Sequence, residues 1–138
     1  ALFAALALTP PSTATANDDG FLQLHEIYQL RLPEAELAVL SACATNVGTA
    51  IESEGVFALS RGFLAAGARR VIASQWAVDD RSTAELMGGF FRAVAVAEQG
   101  GRTIDYTQAL RDAKLALRRD PKWASPYFWA PFVLTGAR

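Results

Sequence analysis

The hydrophobic positions along the chain change period several times, and each change marks an element. Residues 1–8 are an apolar run of strand length, stopped by Thr9-Pro10-Pro11. A polar stretch rich in Pro, Ser, Thr and Asn follows, closing on the turn signal Asp18-Asp19-Gly20, where glycine can take the positive φ that other residues resist. A short helix is expected over residues 24–30. Leu37-Ala38-Val39-Leu40 is then a continuous apolar run after Pro33, the pattern of a strand covered on both faces, as in a parallel sheet.

From Gly55 the period becomes helical: Val56, Leu59 and Phe63 recur on one face, and Gly67 supplies a C-terminal cap. Val71-Ile72-Ala73 predicts a second buried strand. Asp79-Asp80-Arg81-Ser82 offers N-cap chemistry to a helix with Leu86, Met87, Phe90 and Val94 on one side, ended by Gly100-Gly101. A further helix is expected from Thr103, striped by Tyr106, Leu110, Ala113 and Leu117. Lys114, Arg118 and Arg119 near its end suit the helix dipole, and Pro121 closes it. Residues 127–134 predict a last strand, placed at an edge or a bulge because Pro131 cannot donate to a ladder. Strands alternating with helices predict an α/β fold, a mostly parallel sheet flanked by helices, in one domain without an internal repeat.

Composition narrows the class. At 138 residues, 51% hydrophobic and 20% charged, the chain can bury roughly two-thirds of its unfolded surface and is not disordered. Thirteen basic against 14 acidic residues give no electrostatic case for nucleic acid or an anionic membrane as a partner. No apolar run approaches the ~20 residues of a membrane span. The lone Cys43 permits no internal disulfide and favours a reducing, cytoplasmic setting. With one His and one Cys no transition-metal cluster is available; a calcium site made of carboxylates stays open, although no ordered ligand loop stands out, and no metal or other cofactor is expected. The chain lacks an initiator Met and begins in mid-pattern, as a piece of a longer polypeptide would.

Cys43 follows the first buried strand closely, and strand ends form the ligand crevice of open α/β sheets. Free cysteine is also among the most buried residue types and often a small hydrophobe, so position alone leaves both roles open. The order of several blocks bears on the choice. Leu40-Ser41-Ala42-Cys43-Ala44-Thr45, Glu54-Gly55-Val56 and Arg61-Gly62-Phe63-Leu64-Ala65-Ala66-Gly67-Ala68 come first. Ser74-Gln75-Trp76-Ala77-Val78-Asp79-Asp80, Ala109-Leu110-Arg111-Asp112-Ala113 and Pro126-Tyr127-Phe128-Trp129-Ala130-Pro131-Phe132-Val133-Leu134 follow. Together they resemble the CHAT family of caspase-like cysteine peptidases.

The resemblance implies a caspase-like three-layer sandwich and a Cys-His dyad of clan CD, with Cys43 the nucleophile in hydrolysis of protein or peptide substrates. It implies bacterial multidomain proteins in which tetratricopeptide-like repeats precede the peptidase. The family's His-Gly pair is absent from these 138 residues, so the histidine and the sheet's first strands are expected upstream of Ala1, leaving a partial domain that would be inactive alone. Ala44 stands where the family usually has an acidic residue, which opens the alternative of an inactive scaffold module.

By the same resemblance Ser41 lines the pocket for the residue before the scissile bond, and backbone amides near Cys43 form the oxyanion hole. His25 matches a non-catalytic family histidine and stays outside the site. Asp79 and Asp80 follow the second strand on the edge expected for Cys43, where they either line the substrate cleft or serve the next helix as cap and solvated charge. Trp76 packs beside that cleft or covers the sheet edge, whereas Trp123 and Trp129 are expected in packing. Gln75 replaces a residue that is usually apolar.

Overall fold

The computed structural model describes residues 4–9, 12–13, 19–40 and 52–137, with side chains from residue 55 in the last segment. Its elements run β1 (Ala5–Ala7), β2 (Phe21–Gln23), α1 (Leu24–Ile27), β3 (Ala38–Leu40), α2 (Glu52–Ala65), β4 (Arg70–Ser74), α3 (Asp80–Gln99), α4 (Tyr106–Arg119), a 3₁₀ turn (Pro121–Trp123), α5 (Pro126–Trp129) and β5 (Phe132–Gly136).

The described strands form two sheets. β1 and β2 pair antiparallel, and the larger sheet has the order β3-β4-β5. β3 runs parallel to β4 with Leu40 opposite Ala73, and β5 runs antiparallel to β4 with Phe132 opposite Ser74. The expected α/β class holds. The parallel β3–β4 pair is joined by a crossover through α2, and β5 is the antiparallel edge that many such sheets carry.

β4 explains the layering. Successive side chains of a strand point to opposite faces, so Ile72 enters one core while Val71 and Ala73 enter another. On the Ile72 face lie Leu86, Met87 and Phe90 of α3 with Leu110, Ala113 and Leu117 of α4. On the opposite face Val71 and Ala73 meet Ile27 of α1 and Leu59 of α2. The sheet is thus sandwiched between two helical layers. Phe90 is fully buried, its ring edge-on to Phe91 at 5.1 Å and tilted against Tyr106 at 6.5 Å. α3 and α4 approach closely at Gly89, where a Cβ would stand 3.6 Å from that of Ala113.

Local caps fix the chain path into the strands. After α2, Ala68 N donates to Phe63 O at 3.0 Å and Gly67 N to Leu64 O at 3.1 Å, the paired bonds of a Schellman cap. Gly67 takes φ +113° there. Leu32 N donates to Ala66 O at 2.8 Å and Arg69 N to Ala35 O at 2.9 Å, so the end of α2 also sets the approach to β3. Glu36 accepts from Arg69 at 3.0 Å and from Arg70 at 2.8 Å.

Three expectations need correction. α2 begins at Glu52 rather than near Gly55. α4 begins at Tyr106 rather than Thr103, because the Asp105 carboxylate accepts from Gln108 N at 2.9 Å and Asp is the stronger cap. Residues 127–129 are not strand. Ser125 caps a helical turn with Pro126 in its first position, and β5 starts only at Phe132.

Candidate functional site

The parallel register of β3 and β4 puts their carboxyl ends at one edge of the sheet. β5 starts at the same edge, since Phe132 lies opposite Ser74 and Gln75 N donates to Pro131 O at 3.0 Å. Among the described residues, the end of β3 at Leu40, the turn after Ser74 and α5 before β5 therefore converge there. This is the edge where ligands gather in open α/β sheets.

Ser41 and Cys43, expected as pocket residue and nucleophile, lie outside the described residues, as does Ala44. They follow Leu40 by one, three and four positions in the sequence.

Trp76 and Asp79 are at the edge, in different roles. Asp79 is the N-cap of α3: its carboxylate accepts from Ser82 N at 2.9 Å, and its carbonyl accepts from the Ser82 hydroxyl at 2.9 Å. Ser82 is fully buried. Asp80 is exposed in the first turn of α3, where a carboxylate suits the positive end of the helix dipole. α3 thus presents its amino end, with its acidic first turn, at this edge.

Trp76 is 41% exposed, and its indole Nε1 donates to the carbonyl of Tyr127 at 3.1 Å. That bond ties the turn after β4 to α5. Tyr127 is 50% exposed and stacks edge-on against Phe128 at 5.3 Å. The sequence does not reveal Tyr127 as a site residue, because residues 127–134 have the side chains of a strand; the Ser125-Pro126 pair is the signal for a capped turn. Gln75 is half-buried, and its backbone holds Pro131. Trp123 is buried against Phe128 at 4.9 Å, while Trp129 donates from Nε1 to Ala124 O at 3.2 Å, so both do pack. His25 is exposed in α1.

Chemically, this end of the sheet offers the exposed Trp76 and Tyr127 and the amino end of α3 near the last described residue of β3, Leu40. A thiol delivered to such a place is a nucleophile only with a base to take its proton.

A family model described as CHAT domain matches residues 1–137. The chain belongs to the CHAT domain family. Among curated proteins, tetratricopeptide repeat protein 28 of Homo sapiens is 28% identical over 112 residues, 81% of this chain and 4% of that protein. This CHAT domain therefore spans about 4% of the length of the curated relative it matches. Among the described residues, no helix is long and apolar enough to cross a membrane.

Proposed function

We propose that this CHAT domain is the nucleophile-bearing part of a caspase-like cysteine endopeptidase. The carrying observation is the family match over residues 1–137, which gives chemical meaning to a cysteine three residues beyond the carboxyl end of β3. The Cys43 thiolate adds to the carbonyl carbon of a peptide bond. The C–N bond breaks and the amine leaves with a proton from the histidine, and water then hydrolyses the thioester to release the acid and restore the thiol. That histidine comes from upstream of Ala1, and amides around Cys43 stabilise the oxyanion.

Ser41, small and uncharged, shapes the pocket for the residue before the scissile bond. Trp76 and Asp80 line the cleft; the bond to Tyr127 holds Trp76, and Asp79 caps the helix that carries Asp80. The likeness to a human tetratricopeptide repeat protein supports repeats of that type in the same polypeptide, and a reducing cytoplasm suits a free thiolate. The scaffold reading rests on one residue, Ala44, beside the nucleophile.

The test is a longer polypeptide that includes the upstream histidine, treated with a peptidyl electrophile. Covalent labelling lost in both Cys43→Ala and the histidine variant supports the dyad. Labelling retained by Cys43→Ala refutes it, and no labelling of a folded protein favours the scaffold.

A further inference from the structure

Among the described strands, none pairs with the outer side of β5. Ala137 N donates to Arg69 O at 2.9 Å and Gln75 N to Pro131 O at 3.0 Å. An antiparallel ladder bonds every second residue, so residues 131, 133, 135 and 137 turn their backbone groups toward β4. Phe132, Leu134 and Gly136 turn theirs outward, and among the described strands β4 is the only neighbour of β5. Such an edge accepts a further strand.

Beside this edge runs a groove of about 430 Å³ between β5 and α4. Leu115, Trp129 and Leu134 give it an apolar floor, and Arg111, Lys114 and Arg118 line it without a carboxylate among its residues. The three cations recur at helical spacing on one face of α4. Asp112, on the flank, stands 3.6 Å from Arg111, but both its oxygens accept from Gln108 at 2.8 and 2.9 Å. Arg118 lies over the Trp129 ring at 5.8 Å. Lys114 is held half out of water, and that burial pulls its ammonium below the usual lysine range.

The charges select the occupant. A second copy pairing edge to edge would bring the same three cations against each other, a like-charge arrangement that disfavours association. An extended segment with carboxylates meets them favourably. Arg111 and Arg118 are about 10 Å apart along α4, and residues i and i+4 of a strand are about 13 Å apart, a difference the long arginine side chains span. Residue i+2 between them faces the apolar floor. We propose that the β5 edge and the adjoining face of α4 form a docking site for an extended polypeptide segment that adds a strand and carries carboxylates two residues to either side of an apolar side chain.

The test titrates the full chain with the heptapeptide Thr-Asp-Thr-Leu-Thr-Glu-Thr and follows backbone amide resonances. The amides of Leu134 and Gly136 are expected to shift with a saturating curve that weakens as salt rises. The peptide with Lys in place of Asp and Glu should bind at least ~tenfold more weakly, as should the acidic peptide N-methylated at alternate amides, because mainchain bonds supply the affinity of strand addition. Arg111→Glu combined with Arg118→Glu should reverse the preference toward the Lys peptide. Equal binding of the acidic and basic peptides overturns the proposal, as does acidic binding that survives N-methylation or an absence of shifts at the edge. A sedimenting dimer that the acidic peptide fails to dissociate assigns the edge to a second copy and overturns it too.

Discussion

Gly67→Ala should be among the most damaging single-methyl additions to this domain. Gly67 has φ +113°, and a Cβ built there would stand 3.0 Å from Leu32 C, 3.1 Å from Pro33 N and 3.2 Å from Leu32 O. All three atoms are backbone, and Leu32 is tied to Ala66 by a 2.8 Å hydrogen bond, so the neighbour cannot swing aside as a flexible side chain would. The left-handed conformation costs about 1–2 kcal/mol, and overpacking about 1–3 kcal/mol more. Lower entropy of the unfolded alanine chain offsets about 0.4–1 kcal/mol. The net loss is about 3 kcal/mol, equivalent to a fall in Tm of roughly 10 °C for a chain of this size.

Gly101→Ala is the matched control. Gly101 also has positive φ, at +62°, but nothing lies within 4 Å of the Cβ position. It should lose no more than about 1 kcal/mol. Urea unfolding of both variants, followed by far-ultraviolet circular dichroism, measures the difference. Equal losses within about 0.5 kcal/mol, a spread that independent sites show anyway, would refute the argument from contact with Leu32 and Pro33.

Phe90→Ala empties a fully buried ring site between α3, α4 and the sheet and should cost about 3–5 kcal/mol, read from the same denaturation curves. Asp79→Ala leaves Ser82 N without its carboxylate partner and should cost about 1 kcal/mol; Asp79→Asn keeps an acceptor and should remain near the parent. The hydrogen bond from Arg69, followed by that guanidinium's charge and by Arg70, holds the Glu36 carboxyl below the usual carboxylate range. A depressed folded-state value contributes stability above the unfolded value, about 4.3, and loses it as pH falls through the folded one. Glu36→Gln should therefore flatten the acid limb of the stability curve, and its unchanged shape would contradict the ion pair's role.

Much of the fold was legible because burial and period agree. Leu37 to Leu40 and Val71 to Ala73 are apolar on consecutive positions, as strands covered on both faces must be. The stripe Leu86, Met87, Phe90 is a helix face that meets a core. The errors came where a short polar signal outranks hydrophobicity. Tyr127, Phe128 and Trp129 have strand-like side chains, yet Ser125 and Pro126 cap a helical turn there. Asp105 likewise starts α4 after Thr103 and Ile104 have passed. Strand β2 leaves little trace in the sequence because Phe21–Gln23 is three residues long, and its pairing with β1 depends on contacts distant in sequence. At the site, Asp79 was legible as a cap. The bond from Trp76 to Tyr127 was not, because nothing local links positions 51 residues apart.

β4 carries a consequence for how the domain comes apart. One five-residue strand sends Ile72 into one core and Val71 and Ala73 into the other, and it is bonded on both sides, to β3 and to β5. Neither helical layer can detach without stripping a face of the strand that the other layer needs. The two cores are thereby fused into a single cooperative unit, and the β4 amides should exchange with solvent only when the whole sandwich opens.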